Sequence, residues 1–341
     1  MVSGINAAKG GIAIYDEEED SPIAATIHYA AYIPDKSRVD VRYLWWLLRS
    51  ETFRDILKRN LPGGVKTELK AKRLLPIQLH LPPLDEQRRI VSRIEELAAV
   101  IEEARGLRAK AREEAEALLD SAIREVFDVS EGLPPNWRWV TVTDIGHKER
   151  DAVQTGPFGA QLSSSEFIHE GVPVLAIGNV RWGYLNTAEL NYVLDEKAKK
   201  LSRYQVQPGD ILFARMGTVG RSCVVPDFAK DWLISYHLIR IAVDRSVCEP
   251  HFVFYALRGS PSVLEAIEEK TRGSTRAGVN STILRQLEFP LPPLDEQRHI
   301  VAYLDSLQAQ VNELTALQDA TQAELDALLP SVLDRAFRGE L

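Results

Sequence analysis

The sequence LPPLDEQR fills residues 81–88, and the same eight residues return at 291–298, 210 positions later. Eight identical residues in a row do not arise by chance, so the chain contains two copies of one segment. Each copy opens with prolines and then runs for about 40 residues with only Gly106 and, near its end, Pro330 as helix breakers. This composition predicts one long helix of roughly 60 Å in each copy.

Apolar residues recur along both predicted helices in alternating steps of four and three. This heptad spacing is typical of a helix that packs against a partner helix. We expect the two helices to pair antiparallel within the chain, with Leu97 and Ile101 facing Leu307 and Val311; in the alternative, each helix packs on its own globular domain. Arg108 and Gln318 interrupt both patterns at the same heptad. The predicted pairing residues are Ile90, Ile94, Leu97, Ile101, Ile300, Leu304, Leu307 and Val311.

The repeat also extends towards the N-terminus, where a shift of one residue aligns Arg49 with Arg258. Residues 133–210 have no counterpart in the first copy, and Met1 aligns with Ile211 in a predicted buried strand. We therefore expect the first globular domain to be truncated and to need its other half from another polypeptide. The predicted organisation is a partial domain (1–80), a long helix (81–127), a linker (128–133), a complete domain (134–290) and a second long helix with a C-terminal tail (291–341).

The complete domain alternates short β-rich runs with turns and one helical stretch. The β-rich runs are VPVLAIGNV (172–180), GDILFARMG (209–217) and LISYHLIRIAV (233–243), and the helix is expected from about 250 to 269. Residues 43–57 are the equivalent helix of the first copy. The predicted fold class is α+β, with globular domains of mixed strands and helices joined by two long helices that form an antiparallel coiled coil.

The formal net charge of −8 is unevenly distributed along the chain. Residues 1–80 and 134–290 together carry +3, whereas both long helices are acidic. An acidic total argues against nucleic-acid binding, but this objection weakens when the acidity lies in helices that need not touch DNA. Cys223 and Cys248 have no Cys or His partner at metal spacing, so a metal site is not expected. No signal peptide or apolar run long enough to cross a membrane is present, so the expected location is cytoplasmic.

Four polar, glycine-rich segments are candidates for DNA contact: TGPFGAQ (155–161), GNVRWG (178–183), ARMGTVGR (214–221) and KTRGSTRAGVN (270–280). Glycine allows close approach to a phosphate, and Arg, Asn and Gln can bind phosphates or base edges. The alternative is that each segment is an ordinary turn. We expect the arginines to contact phosphates and Gln154 and Asn179 to read bases. The full candidate set is Gln154, Phe158, Gly159, Asn179, Arg181, Trp182, Arg215, Gly217, Thr218, Gly220, Arg221, His237, Arg272, Ser274, Thr275, Arg276 and Asn280.

The order of these segments, followed by LPPLDEQ and a long helix, resembles the target-recognition domain and conserved helix of specificity subunits from type I restriction-modification systems. The resemblance covers residues 134–341, and covers 1–127 with the early part missing. It implies that two target-recognition domains each read one half of a bipartite DNA site. It also implies that the paired helices dock modification (methyltransferase) subunits, with restriction (nuclease and translocase) subunits completing the assembly. S-adenosylmethionine and Mg are then expected only in those partner subunits.

Catalytic motifs are missing from the sequence. It has no GxGxxG, P-loop or HExxH, and PPNW at 134–137 has the wrong order for an amino-methyltransferase motif. His147 and His237 have no motif around them. We therefore expect a non-catalytic subunit that supplies sequence choice. The alternative is a solitary specificity-like DNA-binding protein, or a coiled-coil adaptor, without an associated nuclease.

Overall fold

The computed structural model describes residues 1–3, 12–14, 29–60, 71–159, 161–216, 220–271 and 278–341. The chain forms two compact units, the first made of residues 1–113 and 313–341 and the second of residues 114–312. The unit boundaries fall inside the long helices, whereas the predicted domain boundaries fall at their ends. The division into units reflects side-chain packing, because each half of a long helix packs against a different globular part and is grouped with it.

The helices of the described ranges are α1 (Val41–Arg49), α2 (Glu51–Asn60), α3 (Ala71–Leu74), α4 (Leu84–Phe127), α5 (Asp195–Lys200), α6 (Pro250–Gly259), α7 (Pro261–Thr271), α8 (Ser281–Arg285) and α9 (Leu294–Phe337). The strands are β1 (Val2–Ser3), β2 (Tyr29–Ala30), β3 (Arg138–Thr141), β4 (Val153–Thr155), β5 (Val172–Leu175), β6 (Val180–Arg181), β7 (Tyr184–Leu185), β8 (Asn191–Val193), β9 (Ile211–Ala214), β10 (Ser222–Val224), β11 (Leu233–Ile234), β12 (Leu238–Ile241) and β13 (Glu288–Leu291). The predicted α+β class is confirmed. No helix in these ranges is long and apolar enough to cross a membrane.

The two long helices, α4 and α9, each contain 44 residues and begin directly after the repeated prolines. Both carry Asp and Glu in the first turn and Arg in the last. Acidic side chains near the N-terminus and basic ones near the C-terminus interact favourably with the helix dipole. The prediction of two matched long helices is confirmed.

Within the first unit the two helices run antiparallel. Arg105 lies 3.3 Å from Asp326, and Arg112, further along α4, lies 3.7 Å from Asp319, so numbers rise on one helix as they fall on the other. Near the start of α4, Ile94 is fully buried in a cluster that includes Leu333 from the end of α9. The residues that pack with the beginning of α4 therefore come from the end of α9.

Within the second unit, the end of α4 packs with the beginning of α9. Ile123 and Leu304 are fully buried in the main core, and Leu307 and Val311 pack against it. The expectation that Leu97 and Ile101 face Leu307 and Val311 was wrong, because antiparallel helices bring opposite ends of the repeat together. The alternative, in which a long helix packs on its own globular domain, also holds for α9. This helix packs on the sheet and helices of the complete domain as well as on α4.

Two small sheets form the framework of the second unit. The larger has the strand order β10-β9-β12-β4 and is antiparallel throughout, and the other has the order β11-β5-β8. The predicted run 233–243 is divided into β11 and β12 by a turn at 235–237. That turn brings three polar or aromatic side chains to the edge of the framework.

Both predicted globular helices are interrupted where a serine occurs. Ser50 caps α1 and Ser260 caps α6, and each has extended backbone angles. Pro261 explains the second break, because a proline disfavours helical angles in the residue before it. At the first break, the Ser50 hydroxyl donates to the Leu47 carbonyl and accepts from the Phe53 N–H, which ends one helix and starts the next.

The glutamine of LPPLDEQR has the same buried role in both units. Gln87 donates to the Arg38 and Pro82 carbonyls at 3.1 and 2.7 Å and accepts from the Asp40 N–H at 2.8 Å. Gln297 donates to the Val247 and Pro292 carbonyls at 3.2 and 2.9 Å and accepts from the Glu249 N–H at 2.8 Å. Each glutamine thereby fixes the start of a long helix against the N-terminal cap of the globular helix α1 or α6.

The first unit repeats part of the larger sheet. The Met1 amino group donates to the Ala13 carbonyl at 2.6 Å, the Ala13 N–H donates back at 3.0 Å, and β1 pairs with β2. This arrangement matches β10-β9-β12 of the second unit, in which β12 goes on to pair with β4. The domain repeat inferred from sequence therefore includes strands as well as helices.

Candidate nucleic-acid interface

Several loops of the second unit converge on one surface, which we call the loop face and define as residues 156–158, 177–184, 214–216, 220–222 and 235–237. Backbone hydrogen bonds join these segments. The Arg215 N–H donates to the His237 carbonyl at 3.2 Å, and the Gly183 N–H donates to the Ser222 carbonyl at 3.0 Å. The fold thus brings together three of the four segments singled out from the sequence, and the end of the fourth joins them through the Val279 N–H, which donates to the Arg215 carbonyl at 3.0 Å.

Three arginines give the loop face its positive charge. Arg221 donates from Nη2 to the Ile177 carbonyl at 2.8 Å, and its pKa is lowered by burial and then by the nearby charge of Arg181. None of these three arginines, Arg181, Arg215 and Arg221, forms an ion pair with a carboxylate in the described part of the chain. Like charges held close together without carboxylates favour binding of an anion.

His237 lies beside Arg215 at the centre of the loop face. Burial lowers its pKa below the ordinary value, and the charge of Arg215 lowers it further. The His237 ring lies 3.6 Å from the ring of Tyr236, and its Nδ1 has no hydrogen-bond partner among the described residues. Burial and the charge of Arg215 therefore both favour the neutral form of the imidazole in the free protein.

Exposed aromatic rings stand on the same surface. Phe158 is 58% exposed and lies 6.1 Å from Tyr236, while Tyr184 and Trp182 are also exposed. The approach of the Phe158 loop to the 235–237 turn requires glycine at 156, because a Cβ there would lie 2.1 Å from the Ser235 carbonyl oxygen. Exposed aromatic side chains are suited to stacking on bases or sugars.

Buried polar atoms that have no hydrogen-bond partner among the described residues are concentrated here. They are Nε of Arg215, Nε of Arg221, Oγ of Ser222, Oγ of Ser235 and Nδ1 of His237. Buried polar groups in proteins are nearly always hydrogen-bonded, so a cluster of exceptions calls for a ligand or bound water. Hydroxyl and guanidinium groups of this kind donate to phosphate oxygens.

The β6–β7 hairpin of the loop face packs against a charged cluster that includes residues of both long helices. Arg258 lies 5.6 Å from the Trp182 ring and donates to Asp120 of α4 and to Gln308 of α9 at 2.9 Å each. Gly220 lies beside the Trp182 ring and has a φ of +92°, a left-handed backbone conformation that favours glycine. The hairpin is thereby positioned relative to both long helices within the second unit.

Two predicted base readers are structural residues, and those two predictions were wrong. The Asn179 side chain accepts from the Ala176 N–H and donates to the Asn186 and Glu189 carbonyls, and it is 4% exposed. Gln154 is 8% exposed, donates to the Thr155 carbonyl and accepts from Arg203. Both amides are engaged inside the protein through oxygen and nitrogen alike, so neither is presented to a base.

The remaining candidates fall into three groups. Asn280 accepts from the Ile283 N–H as the N-cap of α8, and Gly159 is exposed next to Phe158. Six candidates lie outside the described residues: Gly217, Thr218, Arg272, Ser274, Thr275 and Arg276. For the residues on the loop face, contact with DNA stays a prediction.

Sequence reasoning missed Tyr236 and Ser235. Both sit in LISYHLIRIAV, which has the composition of a continuous strand, and only His237 was singled out. The break between β11 and β12 has no Gly or Pro to mark it. The signal available was the SYH triplet itself, three polar or aromatic residues inside an apolar run.

The described residues contain no group of three or more His, Cys, Asp or Glu side chains able to hold a metal ion. Cys223 is buried, which raises the pKa of its thiol to about 12, and burial also raises the pKa of Cys248. Both thiols are protonated near neutral pH and pack as small core residues.

The family description that fits this architecture is the "Type I restriction modification DNA specificity domain", whose model matches residues 134–325. This match spans more than half of the chain, so the chain belongs to that family.

Individual relatives agree with this assignment. A solved chain from work titled "Structural basis underlying complex assembly and conformational transition of the type I R-M system" is 30% identical with a TM-score of 0.69, over 88% of this chain and 71% of that one. The HsdS subunit of Thermoanaerobacter tengcongensis is 29% identical with a TM-score of 0.52, over 88% and 70%. The EcoBI specificity subunit of Escherichia coli is 24% identical over 80% of this chain, and the chain spans 60% of that subunit's length.

Proposed function

We propose that this chain is the DNA-recognition subunit of a type I restriction-modification complex and that the loop face of the second unit contacts one half of a bipartite DNA site. The observation that carries the proposal is the grouping of Arg181, Arg215 and Arg221, which have no carboxylate partner in the part of the chain that the structure describes, beside His237 and exposed aromatic rings. A positively charged surface with unpartnered donors matches a phosphate backbone, and the aromatic rings match bases. The chain supplies sequence choice and no catalysis.

The partner subunits carry the chemistry in this proposal. Two modification subunits, with S-adenosylmethionine, transfer methyl groups, and restriction subunits, with Mg, cut DNA. Support comes from apolar residues that stay exposed at equivalent positions of the two long helices: Leu107 and Leu317, and Leu118 and Leu328. Exposed apolar side chains that repeat on matched helices suit the docking of two copies of one protein. The complex works in the cytoplasm, where its DNA is.

The proposal is tested by an electrophoretic shift with and without the modification subunit. The probe is a duplex carrying the motif that is methylated in the host genome, and the control duplex has one half of the motif scrambled. We expect a salt-sensitive shift that is stronger on the intact motif and strengthened by the modification subunit. Equal binding to both duplexes, with or without the partner, would contradict the proposal that this chain recognises a DNA sequence and would favour the coiled-coil adaptor.

A further inference from the structure

The first unit contains a cleft of about 170 Å³ where the α1–α2 junction meets the end of α9. We propose that this cleft binds a carboxylate, presented as an Asp or Glu side chain by a protein partner. The proposal concerns the first unit and does not depend on DNA contact by the second. The cleft is lined by Trp46, Arg49, Ser50, Glu51, Arg54, Leu329, Pro330 and Leu333.

The equivalent place in the second unit shows which chemistry belongs there. Arg258 donates from Nε and Nη2 to the Asp120 carboxylate at 3.2 and 2.9 Å, and from Nη1 to Gln308 at 2.9 Å. Beside it, the Tyr255 hydroxyl donates to Asp305 at 2.7 Å. An arginine and an aromatic donor on the globular helix are thus both supplied with acceptors by the long helices.

The first unit keeps both donors and lacks the two acceptors of the arginine, whereas Glu95, which aligns with Asp305, is retained and pairs with Arg42 at 2.7 Å. The repeat aligns Arg49 with Arg258 and Trp46 with Tyr255, but it aligns Pro330 with Asp120. In the place of Gln308 stands Ala98. Neither proline nor alanine has a side-chain acceptor.

Arg49 consequently has no hydrogen bond or ion pair within the described part of the chain, and its guanidinium rests on the Trp45 and Trp46 rings at 4.4 and 5.7 Å. Trp46 is 7% exposed, and its indole N–H has no acceptor among the described residues. Nε of Arg54 also has no hydrogen-bond partner among the described residues, while Nη1 of the same side chain is paired with Glu51 at 2.5 Å. Glu51 is therefore engaged with Arg54, and the described lining of the cleft contains no other carboxylate for Arg49.

Size and lining indicate the occupant. Pockets for small organic ligands are usually about 300–1,000 Å³, so this cleft suits one side chain. Leu329 and Leu333 can pack against methylene groups, and Arg49 can hold a carboxylate in a bidentate pair. A carboxylate is favoured over a phosphate because Asp120 supplies a carboxylate at the equivalent site. A half-buried arginine of this kind is a typical anchor at a protein interface.

The test uses the full chain and two capped peptides that differ only in a central Glu or Gln. Binding is followed through the indole N–H resonance of Trp46, which is assigned by its loss in Trp46→Phe. We expect the Glu peptide to shift this resonance to saturation, and the Gln peptide to bind at least tenfold more weakly. Arg49→Ala should weaken the Glu peptide at least tenfold, and Arg59→Ala, an exposed arginine at the end of α2, should not.

A second variant keeps the test decisive if Arg49→Ala fails to fold. Pro330→Asp introduces at this place the residue type found at position 120, so we expect the new carboxylate to pair with Arg49 from within and abolish binding of the Glu peptide. Equal binding of both peptides, or an unchanged response in Pro330→Asp, would overturn the proposal. Tighter binding of inorganic phosphate with the same dependence on Arg49 would overturn it in favour of a nucleic-acid contact.

Discussion

Arg108 and Gln318, which hold equivalent positions in the two repeats, bind each other's backbone. Nη2 of Arg108 donates to the Gln318 carbonyl, and Nε2 of Gln318 donates to the Arg108 carbonyl at 3.2 Å. The two polar interruptions of the heptads therefore meet across the antiparallel pair. A polar residue at a core position of paired helices can specify their register.

The two side chains should contribute independently, because each bonds a backbone carbonyl that an alanine variant retains. We expect Arg108→Ala and Gln318→Ala each to lower the free energy of unfolding by about 1 kcal/mol, and the double variant to lose about the sum. Urea unfolding measures these losses. The exposed Arg93, paired with Glu96, is the control, and Arg93→Ala should cost less than about 0.5 kcal/mol. Losses as small in Arg108→Ala and Gln318→Ala as in the control would mean that the Arg108–Gln318 contact does not set the register.

The buried side of α9 should be far more sensitive than its exposed side. Leu304 is fully buried in the main core, whereas Leu317 is 62% exposed. Leu304→Ala should lower the free energy of unfolding by about 2–5 kcal/mol, because it leaves a cavity. Leu317→Ala, the matched control, should change it by less than about 0.5 kcal/mol. Equal losses in denaturant unfolding would contradict the packing described for α9.

The loop-face arginines should act through phosphates. We expect Arg215→Ala and Arg221→Ala each to weaken binding to all duplexes alike and to lower the slope of log Kd against log salt by about one. Fluorescence anisotropy across a salt series provides the measurement. Arg298→Ala, on α9 and paired with Asp295, should leave the slope unchanged. Unchanged slopes in both loop-face variants would remove the loop face from the DNA contact.

His237 should couple DNA binding to proton uptake. Burial and Arg215 lower its pKa in the free protein below the ordinary value of about 6.5. Phosphates nearby favour the protonated form, so its pKa is higher in the complex than in the free protein. Affinity should therefore rise as pH falls through the interval between the bound and free pKa, and the gain should be complete below the free pKa.

Anisotropy titrations between about pH 7.5 and about pH 5.5, which span the ordinary histidine range, check this expectation. His237→Gln should flatten the pH dependence, and His169→Gln, an exposed histidine outside the loop face, should not. The same slope in all three proteins would mean that His237 does not meet DNA.

Asn179 should behave as a structural residue. Asn179→Ala leaves one buried N–H and two carbonyls without their partner, so we expect it to destabilise the fold by about 1–3 kcal/mol. The ratio of affinities for cognate and single-substitution duplexes should stay as in the parent protein. Asn191→Ala, at an exposed strand position, is the stability control. Relaxed specificity at one base pair in Asn179→Ala would instead restore its role as a base reader.

The sequence was informative where a pattern depends on local chemistry. The LPPLDEQR repeat and its heptads placed both long helices within a few residues and predicted their antiparallel pairing. The partners of Leu97 were misassigned, because helix register depends on where the intervening domain returns the chain. Asn179 was misassigned because an amide in a glycine-rich turn bonds inwards as readily as outwards. The turn at Tyr236 was hidden, since its neighbours on both sides form strands.

The buried glutamines have a consequence for the order of folding. Gln87 bonds to residues no more than 49 positions away, whereas the polar contacts named above between α4 and α9 in the first unit span 207 positions (Arg112 to Asp319) or more. Contacts between distant residues close late, because a long loop must be ordered first. During synthesis the start of α4 is thus anchored long before Leu333 is made, and Ile90 and Ile94 lack their partners from α9 while the second unit is synthesised. The interval is a window in which a nascent chain can pair with the wrong helix, and chaperone binding should concentrate there.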